Sequence, residues 1–158
     1  MKRLLDWLRA ADTWRGVAAG LVAGVAYLAA QSLDLRLFPT RTDDLAIPGR
    51  LFSAEPRRWR PIGALMHLSF GAFLGALYAG WPRRRLAAHR APWRAGVLFL
   101  LVENAVLYPL LALLHRLHPA WRTGLLESYY RPLTAAQQVW RHAVFGAVLG
   151  ALLGRPQR

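Results

Sequence analysis

The sequence predicts an all-α fold, an integral membrane four-helix bundle made of two duplicated transmembrane hairpins. Three observations carry this expectation. Four apolar stretches approach the length of a membrane span, tryptophans sit at their ends, and an eleven-residue segment occurs twice. The chain has 158 residues, read as a single membrane domain, with 55% hydrophobic and 18% charged residues and a formal net charge of +13. A nucleic-acid-binding protein would gather such charge on one face of a soluble fold. Here the basic residues fall between long apolar runs, so nucleic acid is excluded and the lipid bilayer is the expected partner. The absence of cysteine excludes disulfides, iron–sulfur clusters and thiol catalysis.

From the N-terminus, "MKRLLDWLRAADTWRGVAAGLVAGVAYLAAQSL" is basic and then apolar. No small-x-small cleavage site follows, so it reads as a retained first span. Within it, Lys2–Trp14 places Leu4, Leu5, Leu8 and Ala11 on one helical face. Two readings stay open for it, a helix lying flat on the inner surface or a frayed extension of the first span. A bilayer takes about 20 apolar residues to cross, and the predicted spans run from Gly16 to Leu33, Ile62 to Trp81, Ala95 to Leu114 and Leu133 to Gly154. Arg141 and His142 interrupt the fourth, which is kept because it repeats the second.

The first loop, Asp34 to Pro61, carries Pro39, Pro48-Gly49, Pro56 and Pro61 as helix breakers. Its length exceeds that of an ordinary connection, as does that of the later "HRLHPAWRTGLLESYYRPLT" with Tyr129-Tyr130. Trp14, Trp59, Trp81, Trp93, Trp121 and Trp140 lie at or near span ends, where indoles prefer the membrane–water interface. Four spans put both termini on one side, with Lys2, Arg3, Arg9, Arg15 and the dense "RRRLAAHRAPWR" loop. The opposite loops dilute their arginines with Asp34, Asp43, Asp44, Glu55 and Glu127. Short-loop basic density predicts cytoplasmic termini in a bacterial inner membrane.

"HLSFGAFLGAL" (His67–Leu77) returns as "HAVFGAVLGAL" (His142–Leu152), identical at eight of eleven positions. "WRGVAAG" (Trp14–Gly20) and "WRAGVLF" (Trp93–Phe99) open the preceding spans alike. The chain thus reads as one repeat over about residues 14–81 and another over about 93–154, related by an axis along the membrane normal. Gly71 and Gly75 share a helix face with His67, and Gly146 and Gly150 share one with His142. Such small-xxx-small faces let backbones approach closely. The expectation is that these faces of the second and fourth spans meet each other and bring the two histidines together.

Glu103 and Asn104 lie near the middle of the third span. A lone carboxylate in hydrocarbon is costly, which makes it a functional candidate. Its depth places it within about a turn of Arg141 and His142, so Glu103 is expected to pair with one of them. Three uses of this cluster stay open: a satisfied polar lock that fixes packing, a proton or ion path, and axial ligation of a b-type haem by His67 and His142. Zinc is not expected, since only two nitrogens converge. His89, His115 and His118 are expected to be solvated. Arg36, Arg41, Arg50, Arg57, Arg58, Arg60 and Arg131 form an outer basic rim suited to lipid phosphates or simply to water. No G-x-S-x-G, H-E-x-x-H or phosphate-binding loop occurs, and no enzyme is expected.

"GVAAGLVAGVA" in the first span, "HLSFGAFLGALYAG" in the second, "AGVLFLLVENAVLYPLLAL" with its late Tyr108-Pro109 in the third, and "WRHAVFGAVLG" in the fourth resemble the YagU-like small bacterial inner-membrane proteins. The loops here are shorter and richer in arginine. The resemblance implies a four-span topology and a loose link to acid tolerance. The resulting expectation is a non-enzymatic packing or assembly subunit, homo-oligomeric or part of a membrane complex. A small channel or transporter and a haem- or pigment-binding module are the alternatives.

Overall fold

The computed structural model describes residues 11–38, 40, 42–87, 90–110, 117–124 and 130–154. All elements among them are helices: α1 (Ala11–Leu37), α2 (Ala46–Gly49), α3 (Pro56–Ala79), α4 (Trp81–Leu86), α5 (Pro92–Leu107), α6 (Pro119–Arg122) and α7 (Pro132–Leu153). The long helices α3, α5 and α7 each begin with proline in the first turn. There the missing N–H would have no intrahelical partner, and the fixed φ already suits a helix. At about 1.5 Å per residue, α1, α3 and α7 are about 40, 36 and 33 Å long. Two of them, α1 from Asp12 onward and α3, are long and apolar enough to cross a membrane.

Three boundaries depart from the sequence expectation. Helix α1 runs four residues past Leu33, so Asp34 belongs to a helix and not to a loop. Pro61 does not break α3 but lies inside its second turn. Only the carbonyl of Arg57 loses an amide partner there, and that exposed turn leaves it open to solvent. The third long helix stops at Leu107, ahead of Tyr108-Pro109: Tyr108 keeps helical dihedrals, but Pro109 has no N–H to donate to the ladder. Residues 111–114 of that predicted span lie outside the described residues, as do most of the Lys2–Trp14 segment, Arg41, His89, His115, Glu127, Tyr129 and the Trp81 side chain.

Helix α1 packs antiparallel against both α3 and α7, and α5 packs antiparallel against α7. The order in space is therefore α3–α1–α7–α5. Glycines set the two tightest contacts. A Cβ on Gly16 would lie 2.5 Å from the Gly75 carbonyl oxygen, and one on Gly146 would lie 2.5 Å from that of Gly96. Gly20 meets Gly71 and Gly150 meets Pro92 in the same manner. The expected meeting of the second and fourth span glycine faces is thus overturned. Each face is taken by the helix that precedes it in sequence, because a short α3–α1 or α7–α5 pairing places backbone against backbone without a large side chain intervening.

Two apolar clusters fill the remaining space. The larger joins Ala19, Ala23 and Tyr27 of α1 with Leu74 and Tyr78 of α3, Leu100 of α5, and Phe145, Leu149 and Leu153 of α7. The smaller joins Ala46 of α2, Trp59 of α3 and Ala120 and Trp121 of α6. Trp59 and Trp121 are consequently buried, while Trp14, Trp93 and Trp140 are exposed. Trp59 and Trp121 thus sit in a packed cluster instead of the interfacial position expected of them. At one end of the molecule, buried Arg83 of α4 donates to the Leu153 and Gly154 carbonyl oxygens at 2.8 and 3.3 Å and lies 3.6 Å from Asp12. The start of α1, the turn after α3 and the end of α7 therefore lie together.

Candidate functional site

The opposite half of the molecule holds a polar lock. Tyr27, Gln31 and Asp34 recur every three to four residues on α1, which places them on one face. Gln137, Gln138 and Arg141 do the same on α7. The loop after α1 supplies Thr42 and Asp44. Arg141 is 0% exposed and reaches both carboxylates. Its Nε and Nη2 donate to Asp34 Oδ2 and Oδ1 at 2.7 and 2.6 Å, the two-pronged geometry that suits a guanidinium. Its Nη1 donates to Asp44 Oδ2 at 2.7 Å and to the Thr42 carbonyl at 3.1 Å.

The surrounding amides complete this set. Gln137 donates to Asp34 at 3.1 Å and Gln138 to Asp44 at 2.9 Å. The Tyr27 hydroxyl donates to Asp44 at 2.7 Å. Gln31 accepts from the Asp44 amide at 3.0 Å and donates to Asp43 at 3.0 Å. All three guanidinium nitrogens have a carboxylate partner, the kind of pairing under which a buried charge is tolerated.

Beside the lock, a cleft of about 430 Å³ opens between α3 and α5. These two helices touch near one end through Tyr78 and Phe99, whose rings are 5.1 Å apart, and leave space between them at the level of His67 and Glu103. Leu74, Leu100 and Phe145 form apolar walls, Tyr27 and His142 line its depth, and half-exposed Met66, Phe70 and Leu107 flank its mouth. Ile47, Pro48 and Tyr108 line the end nearer α2.

The sequence-predicted polar residues divide between these two places. Arg141 belongs to the lock; His67, Glu103, Asn104 and His142 line the cleft. Of the two partners expected for Glu103, His142 is the one it faces, with Oε2 3.5 Å from Nε2. That is too long for a strong hydrogen bond. His142 Nδ1 lies 2.7 Å from the Gln138 carbonyl; a carbonyl only accepts, so Nδ1 carries the proton and Nε2 is left toward Glu103. Tyr27 packs against both imidazoles, with ring centroids 4.7 Å from His67 and 5.3 Å from His142. Two buried atoms in the cleft make no hydrogen bond among the described residues: His67 Nε2 and Glu103 Oε2.

The Gln138 carbonyl takes Nδ1 of His142, while its Nε2 faces Glu103 at 3.5 Å. Among the described residues no group of three or more metal-ligating side chains converges. His118, expected in solvent, is buried. Its Nε2 lies 2.6 Å from the Ile47 carbonyl and its Nδ1 accepts from the Ala120 amide at 3.1 Å, so it fastens α6 to α2. Nor is the outer basic rim uniformly free: Arg50 and Arg60 lie over the Trp59 ring, and Arg58 pairs with Glu55 at 3.0 Å.

Sequence reasoning misses the acidic half of the lock, because Asp34 and Asp44 read as loop charges. The i, i+4, i+7 spacing of Tyr27, Gln31 and Asp34 is the signal that could have found it. The chain matches no protein-family model, no curated protein and no solved structure.

Proposed function

We propose that the chain is a multi-pass protein of the bacterial inner membrane, with α1, α3, α5 and α7 as its four spans and both termini cytoplasmic. Its work is to hold an amphipathic molecule drawn sideways from the bilayer, without catalysing a reaction. The observation that carries this reading is the distribution of polarity. Val25, Phe73, Val106 and Val139 on the four long helices are 58, 55, 66 and 48% exposed, while Arg141, Asp34, Gln137 and Gln138 are buried. In water so much exposed apolar surface would be an aggregation hazard. In hydrocarbon it is the surface that belongs outside, and charges belong inside where they pair.

The proposed duplication has support in the contacts. Gly20 and Gly96 stand 76 residues apart, as do Tyr27 and Glu103, while Gly71 and Gly146, like His67 and His142, stand 75 apart, so the contacts align the first and third spans at 76 and not at the 79 that separates Trp14 from Trp93. The Gly20–Gly71 contact therefore has its counterpart in Gly96–Gly146, and Tyr27–His67 in Glu103–His142. One interface has no counterpart. Where α1 packs on α7, the matching pair α5 and α3 stands apart, and the cleft occupies the gap. Two-fold duplication with one interface left open supports a binding module over a close-packed assembly subunit. A YagU-like relationship remains part of this proposal through its shared topology alone. The transport alternative has less support, because Arg141 is locked by two carboxylates and only Glu103 and His142 are left to carry an exchange.

The test is purification in a mild detergent followed by mass spectrometry of bound lipid. Wild type should retain a stoichiometric amphiphile. Met66→Trp and Leu107→Trp, which fill the mouth from half-exposed positions, should lose it while remaining helical. Equal retention by wild type and both variants would refute the cleft as the binding site.

A further inference from the structure

We infer that the cleft takes the head of a prenylated quinone or quinol, a flat neutral ring with oxygens at opposite ends and an isoprenoid tail. This rests on the lateral bilayer-facing cleft proposed above and adds the chemistry of what it recognises. Several observations on the cleft converge. The two buried atoms without a hydrogen bond, His67 Nε2 and Glu103 Oε2, lie on opposite walls, one on α3 and one on α5. A buried polar atom left unsatisfied costs about 1–3 kcal/mol, so a ligand with a hydrogen-bonding oxygen at each end removes two such costs at once: a quinol hydroxyl donates to the Glu103 carboxylate, and a quinone carbonyl, which only accepts, is met by Glu103 in its protonated form. Asn104, also on the α5 wall, adds an amide that can donate or accept.

The described lining contains no lysine or arginine, and Arg141 behind it is saturated by Asp34 and Asp44. A phosphate head would therefore meet Glu103 without a compensating cation, which excludes ordinary anionic lipid heads. The rings of Tyr27, His67, Phe70, Tyr108, His142 and Phe145 surround the space, and flat faces of this kind favour a flat guest. The mouth between Met66, Phe70 and Leu107 is apolar and half-exposed, an exit for an isoprenoid tail. A cleft of about 430 Å³ leaves room for a substituted ring and the first part of a tail.

The experiment uses the full chain in phosphatidylcholine nanodiscs and a radiolabelled decyl-substituted benzoquinone as probe. One probe should bind per chain and saturate. His67→Leu and Glu103→Leu should each weaken it about tenfold, the loss of one hydrogen bond, and Met66→Trp should abolish it. His67→Gln, which keeps a polar side chain of similar reach, should bind more tightly than His67→Leu, and circular dichroism should show that each variant is helical. Monoolein and dodecyltrimethylammonium should fail to displace the probe. Absence of saturable quinone binding by wild type overturns the inference, as does binding that neither His67→Leu nor Glu103→Leu weakens. If monoolein or the ammonium amphiphile occupies a Met66→Trp-sensitive site and quinone does not, the head-group assignment falls while the cleft reading stands. If no amphiphile is sensitive to Met66→Trp, both fall.

Discussion

At the scale of the residue, Arg141 organises the molecule. A guanidinium placed mid-helix on an otherwise apolar segment looks like an argument against a span, yet two carboxylates and three side-chain amides surround it. Removing one member of such a set leaves the others buried and uncompensated. Arg141→Met should lower stability by about 3–5 kcal/mol, read as a shift in the midpoint of sodium dodecyl sulfate unfolding from mixed micelles. Arg141→Lys should fall between wild type and Arg141→Met, because an ammonium keeps the charge but cannot bridge both oxygens of Asp34. Of the lock only Arg141 is legible in the sequence; the other polar residues legible there line the cleft. Glu103, Asn104, Arg141 and His142 stand out because each is polar within an apolar run. Asp34 and Asp44 do not, since the helix end at Leu37 and the fold-back of the loop decide their burial, and neither follows from local composition.

At the scale of the element, the glycines explain which helices meet. Gly16, Gly20, Gly71 and Gly75 form one backbone contact, and Gly96, Gly146 and Gly150 form another with Pro92. The small-xxx-small pattern announces close packing correctly but not the partner, because a glycine face carries no label. Proximity in sequence decides it: each face closes on the helix joined to it. Gly75→Val and Gly146→Val place a branched side chain against a neighbouring backbone and should each cost about 1–3 kcal/mol or more in the same unfolding assay. Ala29→Val, on an exposed stretch of α1, should change it by less than about 0.5 kcal/mol. Equal effects at all three positions would show that these contacts do not hold the helices together. Pro61 and Pro109 mark the opposite case, identical residues with different consequences. Pro61 sits near a helix start and is absorbed, whereas α5 ends just before Pro109.

For the molecule as a whole, the decisive property is a charged cluster buried in one half beside apolar side chains exposed along four long helices. The helical content is legible from periodicity; the helices that the glycine seams join are not. The opening between α3 and α5 is not, because a perfect two-fold copy would have closed it. That departure from symmetry is also what places His67 and Glu103 on facing walls of a cleft.

The central claim, that the long helices face lipid, can be measured directly because the chain contains no cysteine. Single cysteines at Val25, Phe73 and Val106 would report the proposed lipid face, and those at exposed Ala54 and Arg90 the two ends. Each is challenged with a membrane-impermeant maleimide in right-side-out and inverted vesicles. The account predicts no labelling at the first three until the membrane is dissolved and the protein unfolded. It predicts labelling at position 54 from the outside only and at position 90 from the cytoplasmic side only. Ready labelling at positions 25, 73 and 106 in intact vesicles, or recovery of the chain in the soluble fraction, would contradict it.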